Sequence, residues 1–207
     1  KAFAPLVEKV SFASFGDMDS LRSVIDEDTA FIILEPIQGE SGIIVAPDGF
    51  LQEVRKLCDE KGILLIFDEI QAGLGRTGRL WAGEHWNTAP DILCLAKGIA
   101  GGVPMGATLV RPDILAAISK GEHSSTFGGN PISCAAGIAA LTSITEDGLI
   151  ENSKKMGEVF KEGLEKLKEK HTMIREIRGK GLMIGIEMKF EVKDILMGLI
   201  EEGVLML

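Results

Sequence analysis

Four short apolar runs mark the first 110 residues of the chain: Ala30 to Leu34, Ile63 to Phe67, Ile92 to Ala96 and Ala107 to Val110. Each is about strand length and bounded by turn or charged residues, and runs apolar on both faces predict strands of a buried, mainly parallel sheet. Between the first two, Phe50, Leu51, Val54, Leu57 and Cys58 fall on one helical face, with Asp48 placed to cap the start and Lys61-Gly62 to end it. Strand, helix, strand reads as a βαβ unit. The Ala-rich stretch from Pro131 to Thr145 predicts a buried helix. Leu149 to Leu167 shows an apolar stripe at Leu149, Ile150, Met156, Phe160, Leu164 and Leu167 opposite a solvated face of Lys and Glu. After His171 come Met173-Ile174, a glycine-rich turn at Arg178-Gly179-Lys180-Gly181, a strand-like Leu182 to Met188 and a helix pattern from Val192 to Glu202. This change of pattern, with no repeat or low-complexity linker, places a boundary near residue 146. Residues 1–145 then form part of one α/β domain, and 146–207 a linking helix and the start of a small α+β domain.

The composition, 45% hydrophobic and 26% charged over 207 residues, is that of a chain able to bury a core. Asp and Glu outnumber Lys and Arg by 31 to 22, a net charge of −9, which repels phosphate backbones and argues against a nucleic-acid partner. Cys58, Cys94 and Cys134 stand far apart and read as structural thiols of a reducing compartment, the cytoplasm. His85, His123 and His171 make no local metal motif. The longest uncharged stretch, Phe127 to Thr145, is too polar for a spanning helix. The chain begins at Lys1 rather than Met, with no secretory signal pattern, and runs out on the strand-like Val204 to Leu207. Both ends predict a segment of something larger.

In an open α/β sheet, ligands collect at the carboxyl ends of the strands. There the sequence places Glu35 with Pro36 to Glu40, Asp68 with Glu69 to Gln71, and Lys97 with Gly98. Any one of these is most simply a charged residue where the chain emerges into solvent; their joint placement favours a site. Three motif readings compete for it. Leu64 to Glu69 has the form of a Walker B strand, but no lysine is followed by Ser or Thr, as a phosphate loop requires. Gly73-Leu74-Gly75-Arg76-Thr77-Gly78 has the glycine spacing of a dinucleotide fingerprint, yet it sits beyond the strand and Arg79 to Trp86 opens no amphipathic helix. In the third reading glycine-flanked Lys97 forms a Schiff base with an aldehyde cofactor, and Asp68 pairs with a pyridinium nitrogen. A lysine buried in such a pocket has its pKa lowered by desolvation and by the neighbouring positive charge.

These residues lie in blocks that resemble the class III aminotransferases, the acetylornithine and ornithine group with the fold type I architecture of pyridoxal-phosphate-dependent transferases. The carriers are Glu35-Pro36-Ile37-Gln38-Gly39-Glu40, Phe67-Asp68-Glu69-Ile70-Gln71 running into Gly75-Arg76-Thr77-Gly78, and Pro90-Asp91-Ile92 leading to Ala96-Lys97-Gly98. Ser125-Thr126-Phe127-Gly128-Gly129-Asn130-Pro131 and Arg178-Gly179-Lys180-Gly181-Leu182-Met183 complete the series. The resemblance covers nearly the whole chain. It implies that Lys97 is the Schiff-base lysine, that Asp68 partners the ring nitrogen, and that Gln71 hydrogen-bonds the cofactor's phenolic oxygen. Thr126 would reach the cofactor phosphate across a homodimer interface, with Ser125 beside the substrate. Glu40 would be the gating carboxylate whose arginine partner lies beyond residue 207. An earlier segment of the family supplies the loop that holds the phosphate and a ring that stacks on the cofactor.

Residue by residue, plainer roles stand beside these. Thr126 could cap a turn, Gln71 could satisfy loop backbone, Arg178 could shape its turn or form an ion pair, His123 suits a polar loop, and Phe127 and Trp81 suit packing. Gly101 to Ala107 and His123 to Phe127 look most like the acetylornithine branch, while Ser124 and Ala72 depart from the usual glycine and threonine. The implied function is transfer of an amino group between N-acetylornithine and 2-oxoglutarate by a ping-pong mechanism, in arginine biosynthesis. Ornithine, 4-aminobutyrate or succinyl-diaminopimelate aminotransferases are the rivals, and a non-catalytic dimerisation remnant is the reading from another class.

Overall fold

The computed structural model describes Pro5, residues 7–119 and residues 121–206. In chain order its elements are α1 (Met18–Val24), β1 (Phe31–Leu34), β2 (Ile37–Gln38), β3 (Ile44–Val45), α2 (Phe50–Lys61), β4 (Leu64–Asp68), β5 (Ile92–Leu95) and β6 (Ala107–Val110). There follow α3 (Pro112–Leu115), α4 (Pro131–Glu146), α5 (Leu149–Lys170), β7 (Ile174–Lys180), β8 (Met183–Met188) and α6 (Lys193–Glu201). The four apolar runs form one sheet in the order β1-β4-β5-β6. β1, β4 and β5 are parallel and β6 is antiparallel to β5, so the sheet is mainly parallel and the βαβ unit is present.

α2 buries the face the sequence predicts, Phe50, Leu51, Val54, Leu57 and Cys58, against Leu65, Phe67, Leu93 and Leu95 of the sheet. Burying these side chains is the main stabilising contribution here, at about 1.5–3 kcal/mol for each large apolar one. Its caps are both glycines, Gly49 at φ +84° and Gly62 at φ +68°. Asp48 therefore does not cap the helix. The left-handed turn at Gly49 leads the chain into the first turn, leaving Asp48 one residue outside.

The amino ends of the central strands are fastened by Asp91. Its Oδ2 accepts from the Leu65 amide at 2.7 Å and from Arg55 Nη1 at 2.8 Å, and its Oδ1 accepts from Arg111 Nη1. One buried carboxylate thus ties α2, β4 and the residue after β6 to the start of β5.

The expectation of burial on both faces fails for β1, where Ile32 points into the core while Phe31 and Ile33 remain 50% and 54% exposed. Among the described residues β1 is an edge strand of its sheet, and a groove of about 880 Å³ runs along it, from Phe12 and Phe15 past Ile33 to Glu35, Gln38 and Asp68.

α4 has the predicted extent but is not a buried helix. Ser133 and Gly137 are its buried positions, and Ile132 and Ile138 are exposed. α5 also departs from its predicted stripe. It packs through Ser153, Gly157 and Leu164, while Leu149, Phe160 and Leu167 face outward. The cause is a close backbone approach. A Cβ on Gly157 would fall 2.1 Å from the Gly181 carbonyl oxygen, and one on Gly181 would fall 2.4 Å from the Thr77 carbonyl carbon. β7 and β8 form an antiparallel hairpin, so Arg178 to Lys180 lie in a strand and the turn comes at Gly181-Leu182. Val204 to Met206 form no strand, and Leu207 lies outside the described residues. Among the described residues no helix is long and apolar enough to cross a membrane.

Candidate active site at the carboxyl ends of the central strands

β4 ends on Asp68, whose neighbour in the sheet is Cys94 of β5. The Glu69 amide donates to the Cys94 carbonyl at 3.0 Å, which holds the two strand ends together. Asp68 is half-buried, and its Oδ1 accepts from the Ile70 amide at 3.0 Å. Three residues past Cys94 stands Lys97, the first residue of a 3-10 turn over Lys97–Ala100 that Ile99 and Ala100 pin into the core.

Lys97 has φ +49°, and Leu74, whose side chain approaches Gly98, has φ +58°. A left-handed conformation costs a non-glycine residue about 1–3 kcal/mol and persists where surrounding structure enforces it, commonly at functional sites. The lysine itself is exposed rather than buried, because the flanking loops leave its side of the crevice open. Among the described residues it makes no ion pair.

The loop between β2 and β3 supplies a second carboxylate. Glu35 Oε2 accepts from the Gly39 amide at 3.0 Å, and Gln71 Nε2 donates to Glu40 Oε1 at 2.8 Å. Gly39 makes this possible, since a Cβ there would sit 2.4 Å from Gln71 Oε1. The structure thus joins Gln71 to Glu40, and places Asp68 and Lys97 at the ends of paired strands. It does not join Ser125 or Thr126 to them. Both lie on an exposed turn before α4, where the Gly128 amide donates to the Ser125 carbonyl at 3.1 Å. The cap of α4 is Asn130, whose Oδ1 accepts from the Ser133 amide at 2.9 Å. Phe127 is exposed instead of packed, whereas Trp81 lies against the core and Arg178 does form ion pairs.

Glu69 is the residue that sequence reasoning passed over. Its side chain is fully buried, with Oε2 accepting from the Ala82 amide at 2.6 Å and Oε1 from the Gly83 amide at 2.9 Å. Desolvation pushes its pKa up to about 7 against the opposing effect of those two donors. The available signal was an acid directly after a strand and four residues before a glycine. A Cβ on Gly73 would fall 2.9 Å from the Glu69 carbonyl oxygen.

The glycine run itself forms consecutive tight turns, with Arg76 donating to Gly73 and Gly78 to Gly75. A Cβ on Gly75 or Gly78 would meet Ile150 or Lys154 of α5. These glycines serve packing, and the run opens no long helix, so the dinucleotide reading loses its structural context.

The donor set fits pyridoxal phosphate. An acid of the kind that suits a ring nitrogen and an amine of the kind that suits an aldehyde stand at or just past the ends of paired strands, and a carboxamide lies in the loop after β4, joined to Glu40.

Comparison with known proteins accords with this arrangement. The family model described as Aminotransferase class-III matches residues 4–207. The acetylornithine aminotransferase of Caldanaerobacter subterraneus is 46% identical over 99% of this chain and 52% of its own length. Ornithine aminotransferase 1 of Staphylococcus saprophyticus is 45% identical over 99% and 52%. Among solved structures, an ornithine aminotransferase from Toxoplasma gondii with partial occupancy of pyridoxal phosphate at its active site superposes with a TM-score of 0.94 at 38% identity, covering 99% of this chain and 50% of that one. The N-acetylornithine aminotransferase of Stenotrophomonas maltophilia gives 0.84 at 35% identity, covering 93% and 52%. The chain spans about half the length of the curated relatives it matches.

Proposed function

The chain belongs to the class III aminotransferase family, and from that membership we propose that it carries the catalytic core of a pyridoxal-phosphate-dependent aminotransferase acting on an ω-amino donor, N-acetylornithine first, with 2-oxoglutarate as acceptor. The observation that carries this reading is the pairing of Asp68 and Cys94 across β4 and β5, three residues before the strained Lys97. When bound, the cofactor supplies an electron sink for a carbanion beside the reacting nitrogen.

The chain's own residues do the rest. Lys97 Nζ is the amine that would hold the cofactor's aldehyde and, when free, would move a proton between neighbouring atoms. Asp68 would accept a hydrogen bond from the cofactor's ring nitrogen. Gln71 donates to Glu40 and would donate to the cofactor's phenolic oxygen instead when the cofactor is bound. The Glu40 carboxylate repels an α-carboxylate brought next to the reacting carbon, which favours donors that react at their ω end. Thr126 and Ser125, on their exposed turn, would serve a second subunit's cofactor phosphate and substrate in a homodimer. The same reading takes residues 1–145 as part of the cofactor-binding domain and 146–207 as the linking helix and start of the small domain, in a cytoplasmic enzyme of arginine biosynthesis. The relatives' names support both N-acetylornithine and ornithine as donors.

The test is the visible spectrum of the purified protein with pyridoxal phosphate, then borohydride reduction and peptide mapping. A cofactor band lost on reduction, with the label on Lys97, is the expected result. Rates with N-acetylornithine, ornithine, 4-aminobutyrate and succinyl-diaminopimelate then rank the donors. A folded protein with no band and no cofactor-linked stabilisation would instead favour the dimerisation remnant.

A further inference from the structure

Glu40 is exposed and far along the chain from the hairpin β7–β8, yet the loop that carries it is fastened to that hairpin. Arg178 of β7 donates from Nε to the Gly42 carbonyl at 2.9 Å, two residues past Glu40. Its Nη1 serves Glu176 on the same strand at 3.0 Å and Glu187 on β8, so the guanidinium is anchored on both strands of the hairpin. Only 16% of the Arg178 side chain is exposed. From the other side, a Cβ on Gly185 of β8 would fall 2.9 Å from the same Gly42 oxygen and 3.0 Å from Ile43 Cβ.

The loop that Arg178 grips is strained. Gly42 has φ +96° and Ile43, a β-branched residue, has φ +58°. Both their amides donate to the Gly39 carbonyl, at 3.1 and 3.2 Å. A β-branched side chain in the left-handed region needs surrounding contacts to hold it there. We propose that Arg178 is a positioning residue that holds the Gly39–Ile43 loop in this conformation and so aims the Glu40 carboxylate at Gln71, setting the preference for ω-amino over α-amino donors. The proposal rests on the reading of Glu40 given above. A lysine cannot replace the arginine fully, because one ammonium cannot reproduce the planar fork that serves two carboxylates and a carbonyl at once.

The experiment uses the purified protein with pyridoxal phosphate, comparing wild type with Arg178→Met, Arg178→Lys, Glu40→Ala and Arg175→Met. Arg175 shares Glu187 with Arg178, so its variant loosens the same ion-pair cluster without removing the bond to Gly42. Amide hydrogen exchange at Gly42 and Ile43 and the ratio of kcat/KM for N-acetylornithine to that for L-glutamate are read together. In Arg178→Met, exchange at both amides accelerates about tenfold, the effect of losing one net hydrogen bond, and the donor ratio falls towards that of Glu40→Ala. Arg178→Lys lies between, and Arg175→Met matches wild type. Should the methionine variant fail to fold, Arg178→Lys carries the same two readouts. Unchanged exchange, or faster exchange with an unchanged donor ratio, overturns the proposal. A wild-type protein indifferent to Glu40→Ala overturns the reading of Glu40 instead, and the exchange measurement then still decides whether Arg178 holds the loop.

Discussion

Glu69→Gln tests the electrostatics of the site's floor. The Glu69 carboxyl is held to a pKa of about 7, against an ordinary 4.5, chiefly because burial disfavours the charged form. At about 1.4 kcal/mol per pH unit this difference is about 3 kcal/mol. In the folded chain the group keeps its proton at pH values where the unfolded chain has lost it. Between 4.5 and 7 the folded state therefore binds more protons, and its stability falls as pH rises through that window. Glutamine removes the titration and leaves one of the Ala82 and Gly83 amides without a carboxylate oxygen. That loss offsets the variant's stability by roughly 1–3 kcal/mol and does not change with pH. The assay is urea unfolding of wild type and variant from pH 4.5 to 8. The wild-type minus variant difference falls by up to about 3 kcal/mol across that range. His85, whose pKa is lowered by burial and by Lys180, acts with the opposite sign, since its stabilising effect is lost on acidification; it is present in both proteins and cancels. A difference that rises with pH, or is flat to within about 0.5 kcal/mol, refutes the account of a desolvated carboxyl.

Other positions separate packing, pairing and strain. Asp91→Ala takes away the buried acceptor shared by Arg55 and the Leu65 amide, leaves Arg55 only its pair with the exposed Asp59, and costs about 1–3 kcal/mol in urea unfolding; Asp113→Ala, on an exposed ion pair, leaves the unfolding midpoint unchanged. Within α5, Gly157→Ala forces a methyl into the Gly181 carbonyl and destabilises by about 2 kcal/mol or more. Gly163→Ala on the same helix meets nothing within 4 Å and stabilises by up to about 1 kcal/mol. Lys97→Ala and Lys97→Gly both abolish borohydride labelling, but the glycine variant is the more stable by about 1 kcal/mol, because only it relaxes the φ of +49°; equal unfolding midpoints would deny the strain.

The central sheet was legible because its strands are apolar runs of the right length, and α2 because its five inward residues keep the helical period. The placement of the candidate site residues followed from the same runs, since parallel strands bring the residues after them to one edge of the sheet. Asp68, Lys97, Gln71 and Glu40 each directly follow such a run or lie in the adjoining loops. Where packing depends on the absence of a side chain, the pattern misled. The stripe on α5 counted large residues, whereas the helix docks through Ser153 and Gly157 because another backbone occupies that space. Burial of β1 and α4 was overestimated for a different reason, as apolar composition does not say which face has a neighbour. The pairing of Gln71 with Glu40 and of Arg178 with Gly42 joins residues 31 and 136 apart in sequence, and nothing local announces either.

The consecutive acids Asp68-Glu69 show what a strand end adds to composition. Successive side chains leave a strand on opposite sides, so two residues of the same chemistry enter different surroundings. Glu69 turns inward and has both oxygens occupied by backbone amides of the turn at Ala82. It is satisfied, dry and drawn towards neutrality. Asp68 turns towards the groove with one oxygen bound by the Ile70 amide; in the proposed function the other oxygen would take the ring nitrogen. The buried acid ties the end of β4 to the turn at Ala82, and the Glu69 amide holds the end of β5 from which Lys97 emerges. Exchanging the pair, Asp68→Glu with Glu69→Asp, keeps charge and composition but shortens the inward carboxylate by one methylene, so it no longer spans to both amides. Loss of cofactor binding together with lowered stability in that double variant, against loss of cofactor binding alone in Asp68→Asn, is the outcome this division of roles requires.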